Sequence, residues 1–382
     1  MRKDDILTEE EQYLLTTFRR DLHRIPELGF NLPKTCNYVT QVLEALNCTV
    51  FVPCASTVCA FFDFGKEKTT AIRADMDALP IYEQLDESVN FVSQHLGCMH
   101  ACGHDGHMSM ALTLAVHVSK LEKDLSTNIL FVCQPAEETT GGAQVVCESG
   151  VFDHYNVTRI FGFHVWPDLP AGTVGLKSGP LLARASETTM TIEGISSHIA
   201  KYEQGRDALL AGAQFVCAVD AVMNELNEEE RCLLKFGHMT SGNVRNAISN
   251  NTVIEGSLRV FSDEMFVRAK EAVKACAKKA CDAHGCGYDL HFAEGYPPVI
   301  NDDELFNLAY GALKKDRHLK IELIEEPLLI AEDFAFYQQK LPGFFMLLGT
   351  GTGIPLHSDT FNFDEKILHT GLQIYKKLIE LD

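Results

Sequence analysis

The sequence predicts an α/β protein with a second, smaller domain inserted into it. Two observations carry this reading. Short apolar runs at 128–133, 160–166 and 344–348 alternate with stretches of helical periodicity. That is the pattern of strands buried in a sheet with helices on both faces. Between residues 184 and 294 the order changes to strand–helix–strand–strand–helix–strand, the split β-α-β unit of ferredoxin-like domains. The expected division is therefore 1–183 with 295–382 as one discontinuous domain, and 184–294 as the insertion.

The first helix opens at a capping box, Thr8-Glu9-Glu10-Glu11. It carries Leu14, Leu15, Phe18 and Leu22 at helical spacing and stops before Pro26. A second helix covers about 34–46. Residues 57–62 and 69–74 read as strands, and the turn-like Gly65-Lys66-Glu67-Lys68 between them predicts a hairpin. The second of these runs out into Arg73-Ala74-Asp75-Met76-Asp77. A long helix follows at about 105–121, with Met108, Ala111, Leu112, Ala115 and Val116 on one face. Strand 128–133 delivers Gln134-Pro135-Ala136-Glu137-Glu138 at its end, and strand 160–166 delivers His164. In the insertion, strands are expected at 186–193, 232–239, 252–260 and 288–292, with helices at 207–226 and 263–283. A helix over 364–381 closes the chain.

Composition bounds the function classes. Hydrophobic residues make up 46% and charged residues 23% of 382 residues, as in an ordinary globular protein. With 33 basic against 53 acidic residues the net charge is −20, which repels nucleic acid and anionic membranes. The N-terminus, Met1-Arg2-Lys3-Asp4-Asp5-Ile6, has no apolar run behind its basic residues and does not read as a secretory signal. No uninterrupted apolar stretch is long enough to span a bilayer. Thirteen cysteines, with no CxxC pair, are expected to be reduced thiols in a cytoplasmic protein. Cys276, Cys281 and Cys286 read as packing residues.

Chemistry concentrates in two stretches. Met99-His100-Ala101-Cys102-Gly103-His104-Asp105-Gly106-His107 supplies a thiol and three imidazoles. In an extended loop Cys102 and His104, two apart, point to one side, and Gly103 and Gly106 allow a tight turn there. Gln134-Pro135-Ala136-Glu137-Glu138 supplies two adjacent carboxylates. These would repel one another unless a cation neutralised them; one could bind metal while the other takes a proton from water. The plainer readings are a buried cysteine near a helix start and an acidic first turn. His164 in an apolar strand is by itself a hydrogen-bonded core histidine or a ligand, and His357 and His198 are by themselves loop residues. A mixed sulfur, nitrogen and oxygen set suits Mn or Zn, and accepts Ni or Co. A cysteine hydrolase with Cys102 as nucleophile is the rival mechanism; it has no use for the two glutamates.

At these residues the chain resembles a known family. Arg19-Arg20-Asp21-Leu22-His23-Arg24-Ile25-Pro26-Glu27-Leu28, the Cys102 and Glu137 stretches, Ala331-Glu332-Asp333-Phe334 and Leu356-His357-Ser358 are similar to segments of the aminoacylase and carboxypeptidase-like metallopeptidases. The similarity is to the amidohydrolase branch, which holds amino-acid-conjugate hydrolases, hippurate hydrolases and N-acetyl-amino-acid deacetylases. It implies a zinc-peptidase-like catalytic domain with a ferredoxin-like lid that serves in dimerisation. It implies two divalent ions on Cys102, His104, Glu138, His164 and His357, with Glu137 as general base. His198 takes the place of a lid histidine that polarises the scissile carbonyl, often across a dimer interface, and Asn246 that of a substrate-orienting residue. The implied substrate is an N-acyl-amino acid, with a dipeptide as alternative. Two departures, Ile199-Ala200-Lys201-Tyr202-Glu203 after the lid histidine and Ala247 where a proline is usual, bear on lid geometry rather than on the ligands.

Overall fold

The computed structural model describes residues 7–85, 89–121 and 125–382; the stretch 1–6 read above for a leader lies outside them. The chain divides into two units, one made of 1–179, 300–325 and 333–382 and the other of 180–299 and 326–332. The larger unit begins with α1 (Glu9–His23), α2 (Pro33–Glu44), β1 (Thr49–Phe51), β2 (Val58–Phe62) and β3 (Thr69–Asp75). Then come α3 (His104–Ser119), β4 (Asn128–Gln134), α4 (Gly142–Glu148), α5 (Val151–His154), β5 (Val157–Trp166) and β6 (Thr173–Leu176). The chain leaves through β7 (Gly179–Leu182) into β8 (Arg184–Glu193), α6 (Ala208–Glu229), β9 (Cys232–Ser241), β10 (Asn251–Val260), α7 (Asp263–His284) and β11 (Gly287–Phe292). It returns at β12 (Val299–Asn301) and ends with α8 (Asp303–Leu313), β13 (Lys320–Leu323), α9 (Ala335–Gln338), β14 (Gly343–Gly349) and α10 (Ile367–Leu378).

The larger unit is built on an eight-stranded mixed sheet in the order β1-β2-β4-β3-β5-β14-β6-β13. Its middle four strands, β4, β3, β5 and β14, run parallel, so their carboxyl ends emerge on one edge. Every residue of β3, β4 and β14 is buried, as central parallel strands covered on both faces must be. The smaller unit has a four-stranded antiparallel sheet, β11-β8-β10-β9, in the β-α-β-β-α-β order. Its alternate residues Ser186, Thr188, Met190 and Ile192 face inward. By length and composition α6 could cross a membrane. Its stripe of Ala208, Ala211, Phe215, Val219 and Met223 is instead buried in the core of the smaller unit.

The hairpin expected between β2 and β3 does not form. β4 inserts between them, antiparallel to β2 and parallel to β3. The chain does reverse at Gly65, but across the width of an extra strand. Asn128, the first residue of β4, holds that wide connection. Its Oδ1 accepts from the amides of Phe64 (2.9 Å) and Lys66 (3.1 Å), and its Nδ2 donates to the Lys66 carbonyl (2.7 Å). The apolar run Ile129-Leu130-Phe131-Val132 is fully buried there, between β2 and β3.

The capping box at Thr8 forms, and it is tied into the core. Glu11 Oε1 accepts from His117 Nδ1 of α3 (2.9 Å) and from Lys376 Nζ of α10 (3.0 Å), joining three helices. Burial pushes the Glu11 carboxyl up, but the bonds from His117, Thr8 and Lys376 outweigh it and hold the pKa at about 2. A folded pKa below the unfolded one contributes stability that is present above about pH 4.5 and lost as pH falls toward 2. Glu11→Gln is expected to cost about 1–3 kcal/mol at neutral pH. Denaturant melts at several pH values should show a shallower acid limb for this variant; an unchanged limb would contradict the assignment.

Candidate metal centre

The site lies where the parallel strands end. β3 runs into Asp75 and Asp77, β4 into Glu137 and Glu138, β5 carries His164, and the loop after β14 carries His357. Ligand sites of open α/β sheets lie beyond this edge. Cys102 comes from the turn before α3, and His104 is the first residue of that helix. They converge because Gly103 adopts a left-handed conformation (φ +82°), and not by the alternation of an extended loop. A Cβ on Gly103 would also lie 2.4 Å from Val165 Cγ2. Gly106, expected to help that turn, is instead inside α3, where a Cβ would press on Phe363 at 2.9 Å. Its absence of side chain serves packing.

Glu137 and Glu138 are not in a helical first turn; α4 starts only at Gly142. They sit on a loop shaped by Ala136, a non-glycine residue at φ +58°. Asp77 holds both of them by the backbone. Its Oδ1 accepts from the Glu137 amide (3.0 Å) and its Oδ2 from the Glu138 amide (3.1 Å). His357 likewise sits at φ +65°, with its amide donating to the Ala101 carbonyl (2.9 Å). Strained backbone of this kind persists only where the surroundings over-determine it, and it clusters at functional sites.

The two buried histidines have defined tautomers. His104 Nδ1–H donates to the Asp77 carbonyl (2.8 Å), which leaves Nε2 as the lone-pair nitrogen. His164 Nδ1–H donates to the Val165 carbonyl (2.7 Å), and its Nε2 lies 3.3 Å from Cys102 Sγ. A hydrogen bond on one ring nitrogen is how proteins aim the other at a metal. Glu138 Oε1 is 3.9 Å from His104 Nε2 and 3.4 Å from His357 Nε2. Donor atoms of Cys102, His104 and His164 fall within 4.8 Å of one another; so do those of Cys102, Glu138 and His357, and of His104, Glu137 and Glu138. All six residues are thus linked into a single cluster.

A cation fits this cluster. His104 Nε2 and Glu138 Oε1 are buried acceptors with no hydrogen-bond partner among the described residues. Two such atoms 3.9 Å apart are costly unless something positive lies between them. Burial would keep the His104 ring neutral, yet Asp75, Asp77 and Glu138 outweigh it and raise its pKa to about 10. The surroundings therefore favour positive charge at that point. Burial raises Glu138, but His357, His104 and Cys102 bring it down to about 2. Burial lowers His164 to about 3, so it is a neutral imidazole. Burial, with Glu138 and Glu137, pushes the Cys102 thiol well above its ordinary range. That is the reverse of what a cysteine nucleophile needs, whereas a bound divalent ion deprotonates a thiol ligand outright.

Several neighbours escaped the reading of the sequence. For Asp77 the sequence carries only the signal of two acids at a strand end, Asp75-Met76-Asp77. His107 was grouped with the other imidazoles of its stretch. Both its ring nitrogens are engaged, Nδ1 donating to Asp75 Oδ1 (2.6 Å) and Nε2 accepting from the Val165 amide (2.9 Å), although its donor atom also falls within 4.8 Å of those of Asp75 and His104. His100 is buried with neither ring nitrogen hydrogen-bonded among the described residues. His198 and Asn246 lie in the smaller unit, both exposed. There they are drawn together, because Ile199 N donates to Asn246 O (3.1 Å) and Ile248 N to Ser197 O (2.8 Å). His198 Nδ1 accepts from the Ala200 amide (3.1 Å), so Nε2 bears the hydrogen.

Comparison with known proteins agrees with this chemistry. The description "Peptidase family M20/M25/M40" matches residues 71–381. An uncharacterized hydrolase of Staphylococcus epidermidis is 34% identical over 381 residues, covering 97% of this chain and 98% of its own. The Bacillus subtilis YXEP protein, a dinuclear metal binding peptidase from the M20 family, superposes with a TM-score of 0.85 at 30% identity, over 97% of this chain and 98% of that one. A chain from methicillin resistant Staphylococcus aureus superposes with a TM-score of 0.90 at 29% identity, over 97% of both. This chain belongs to the M20/M25/M40 peptidase family, on its amidohydrolase branch, and is a metal-dependent hydrolase.

Proposed function

We propose that the protein hydrolyses the amide bond of N-acyl-amino acids, with two divalent ions held by Cys102, His104, Glu138, His164 and His357. The observation that carries this is the Asp77-held pair of adjacent glutamates, one facing orphaned His104 Nε2 and the other beside it. The dinuclear character of the Bacillus subtilis YXEP protein supports the count of two. Mn or Zn suits the mixed donor set best, with Ni or Co next. When bound, such ions lower the pKa of water and polarise an amide carbonyl.

The rest is done by side chains. Glu137 takes the proton of the attacking water and delivers it to the leaving amine, which must depart neutral. His198 donates from Nε2–H to the carbonyl oxygen as negative charge develops there, a role worth a few kcal/mol, about 3. Asn246, in the turn whose next residue bridges to His198, orients the same substrate. In this reading residues 184–294 form a lid and dimerisation domain, and His198 serves the site of a second copy in a cytoplasmic homodimer.

The test is an assay on N-acetyl, N-benzoyl and longer N-acyl-amino acids against free dipeptides. Activity should vanish with chelator and return with Mn or Zn, and N-acyl substrates should be preferred. Chelator-insensitive turnover would overturn the metal reading, and preference for dipeptides would overturn the substrate. Glu137→Gln should lower kcat by about 10²–10⁴-fold while metal content stays at the parental level. Mixing Glu137→Ala with His198→Ala protein under subunit exchange should restore part of the lost activity; no recovery would exclude action of His198 across the dimer.

A further inference from the structure

Directly beside the proposed ligands sits a second polar network; its Asp75 Oδ2 lies 3.8 Å from His104 Nε2, and its Asp333 within 4.8 Å of Glu137. Arg73 is its hub, and it is buried to 1% exposure among Asp75, Gln134 and Asp333 at 0% each. Arg73 Nη1 donates to Asp75 Oδ2 (2.6 Å), Nε to Gln134 Oε1 (2.8 Å) and Nη2 to Asp333 Oδ1 (2.9 Å). The other Asp333 oxygen accepts from Gln134 Nε2 (2.7 Å) and from the Ala143 amide (2.9 Å). Tyr337 Oη donates to Gln134 Oε1 (2.8 Å).

Two branches leave this hub, and each ends beside a ligand. The first brackets residues 134–143. Asp333 grips the segment at Gln134 and again at Ala143, and Glu137 and Glu138 lie between these points. The second runs from Arg73 through Asp75 Oδ1 to His107 Nδ1–H, and from His107 Nε2 to the amide of Val165, next to His164. One guanidinium thus steadies the ends of β4 and β5 together.

We infer that the Arg73–Asp333 pair is a positioning device for the metal centre, fixing the Glu137–Glu138 loop and the His164 strand end in one mutual geometry and so setting the affinity for the ions. The inference rests on the metal reading of the site. Stability alone is a poor reason for such a pair, since buried ion pairs are often matched or exceeded by apolar residues of similar volume. Geometry is a better reason: partners that orient ligands commonly change metal affinity when replaced. Arg73 has five donors in a rigid planar fork that fixes the directions of its three acceptors relative to one another, which the rotating ammonium of a lysine does not.

The experiment is a metal titration, Zn or Mn against a chromophoric chelator, on the parent, Asp333→Asn, Arg73→Lys and Arg159→Met. Arg159 is the control. It is also buried in the larger unit, but at the opposite end of the sheet, where its Nε donates to Thr70 Oγ1 (2.8 Å). Melting in chelator reports the stability of each metal-free protein. Asp333→Asn and Arg73→Lys should bind ions about 10–100-fold more weakly than the parent, with kcat falling more than KM rises. Arg159→Met should lower the metal-free melting temperature and leave the affinities at parental values. Parental affinities in both Asp333→Asn and Arg73→Lys would overturn the inference and leave the metal reading standing. Equal weakening in Arg159→Met would reduce the effect to general destabilisation and overturn it as well. A parent that takes up no ion would remove the metal centre and this inference with it.

Discussion

Everything at the working edge of the large sheet follows from buried negative charge. Parallel strands β3, β4, β5 and β14 all end on this edge. They bring Asp75, Asp77, Glu137 and Glu138 to one place, with a buried thiol beside them. In a low-dielectric interior such groups demand a cation or a proton. Arg73 satisfies Asp75 and Asp333. Backbone amides satisfy Asp77. His104 Nε2 and Glu138 Oε1 remain as facing acceptors 3.9 Å apart, with Asp75 Oδ2 3.8 Å from the same nitrogen, and a cation there would meet the demand.

This division of labour explains why the local backbone is unusual. Gly103, Ala136 and His357 all have positive φ; the first two adjoin a proposed ligand or base, and His357 is itself a proposed ligand. Regular helix or strand geometry alone does not bring side chains from four separate segments to one point. The chain reaches the required geometry through tight left-handed residues, held in place by surrounding packing and by amide hydrogen bonds. Asp77 is the clearest case: its two carboxylate oxygens take the consecutive amides of Glu137 and Glu138 and so fix the backbone that carries both glutamates.

Much of this was legible before any coordinates. The alternation of apolar strands and helices gave the α/β unit, and the change of pattern after residue 183 gave the ferredoxin-like insertion, because both signals are local periodicities. The candidate ligands are conspicuous in the sequence because thiol, imidazole and paired carboxylates stand there in short stretches. What failed was non-local. The β2–β3 hairpin was expected from the turn at Gly65, but nothing near that turn says that β4, some sixty residues later, will insert between the strands. The convergence of Cys102 and His104 was expected for the wrong geometric reason, since φ +82° at Gly103 leaves no mark in the sequence beyond the glycine itself. Asp75, Asp77, His107 and Arg73 were missed because their partners, Glu137, Val165, Gln134 and Asp333, are distant in the chain.

The central claim is that Cys102, His104, Glu138, His164 and His357 form one centre for two ions. Anomalous diffraction from crystals grown with Zn or Mn, collected on both sides of the metal absorption edge, tests it most directly. The account predicts two anomalous peaks per chain, both among these five side chains, with Glu137 alongside. A single peak, or a peak ligated by His107 or His100 in place of His104 or His164, would contradict it.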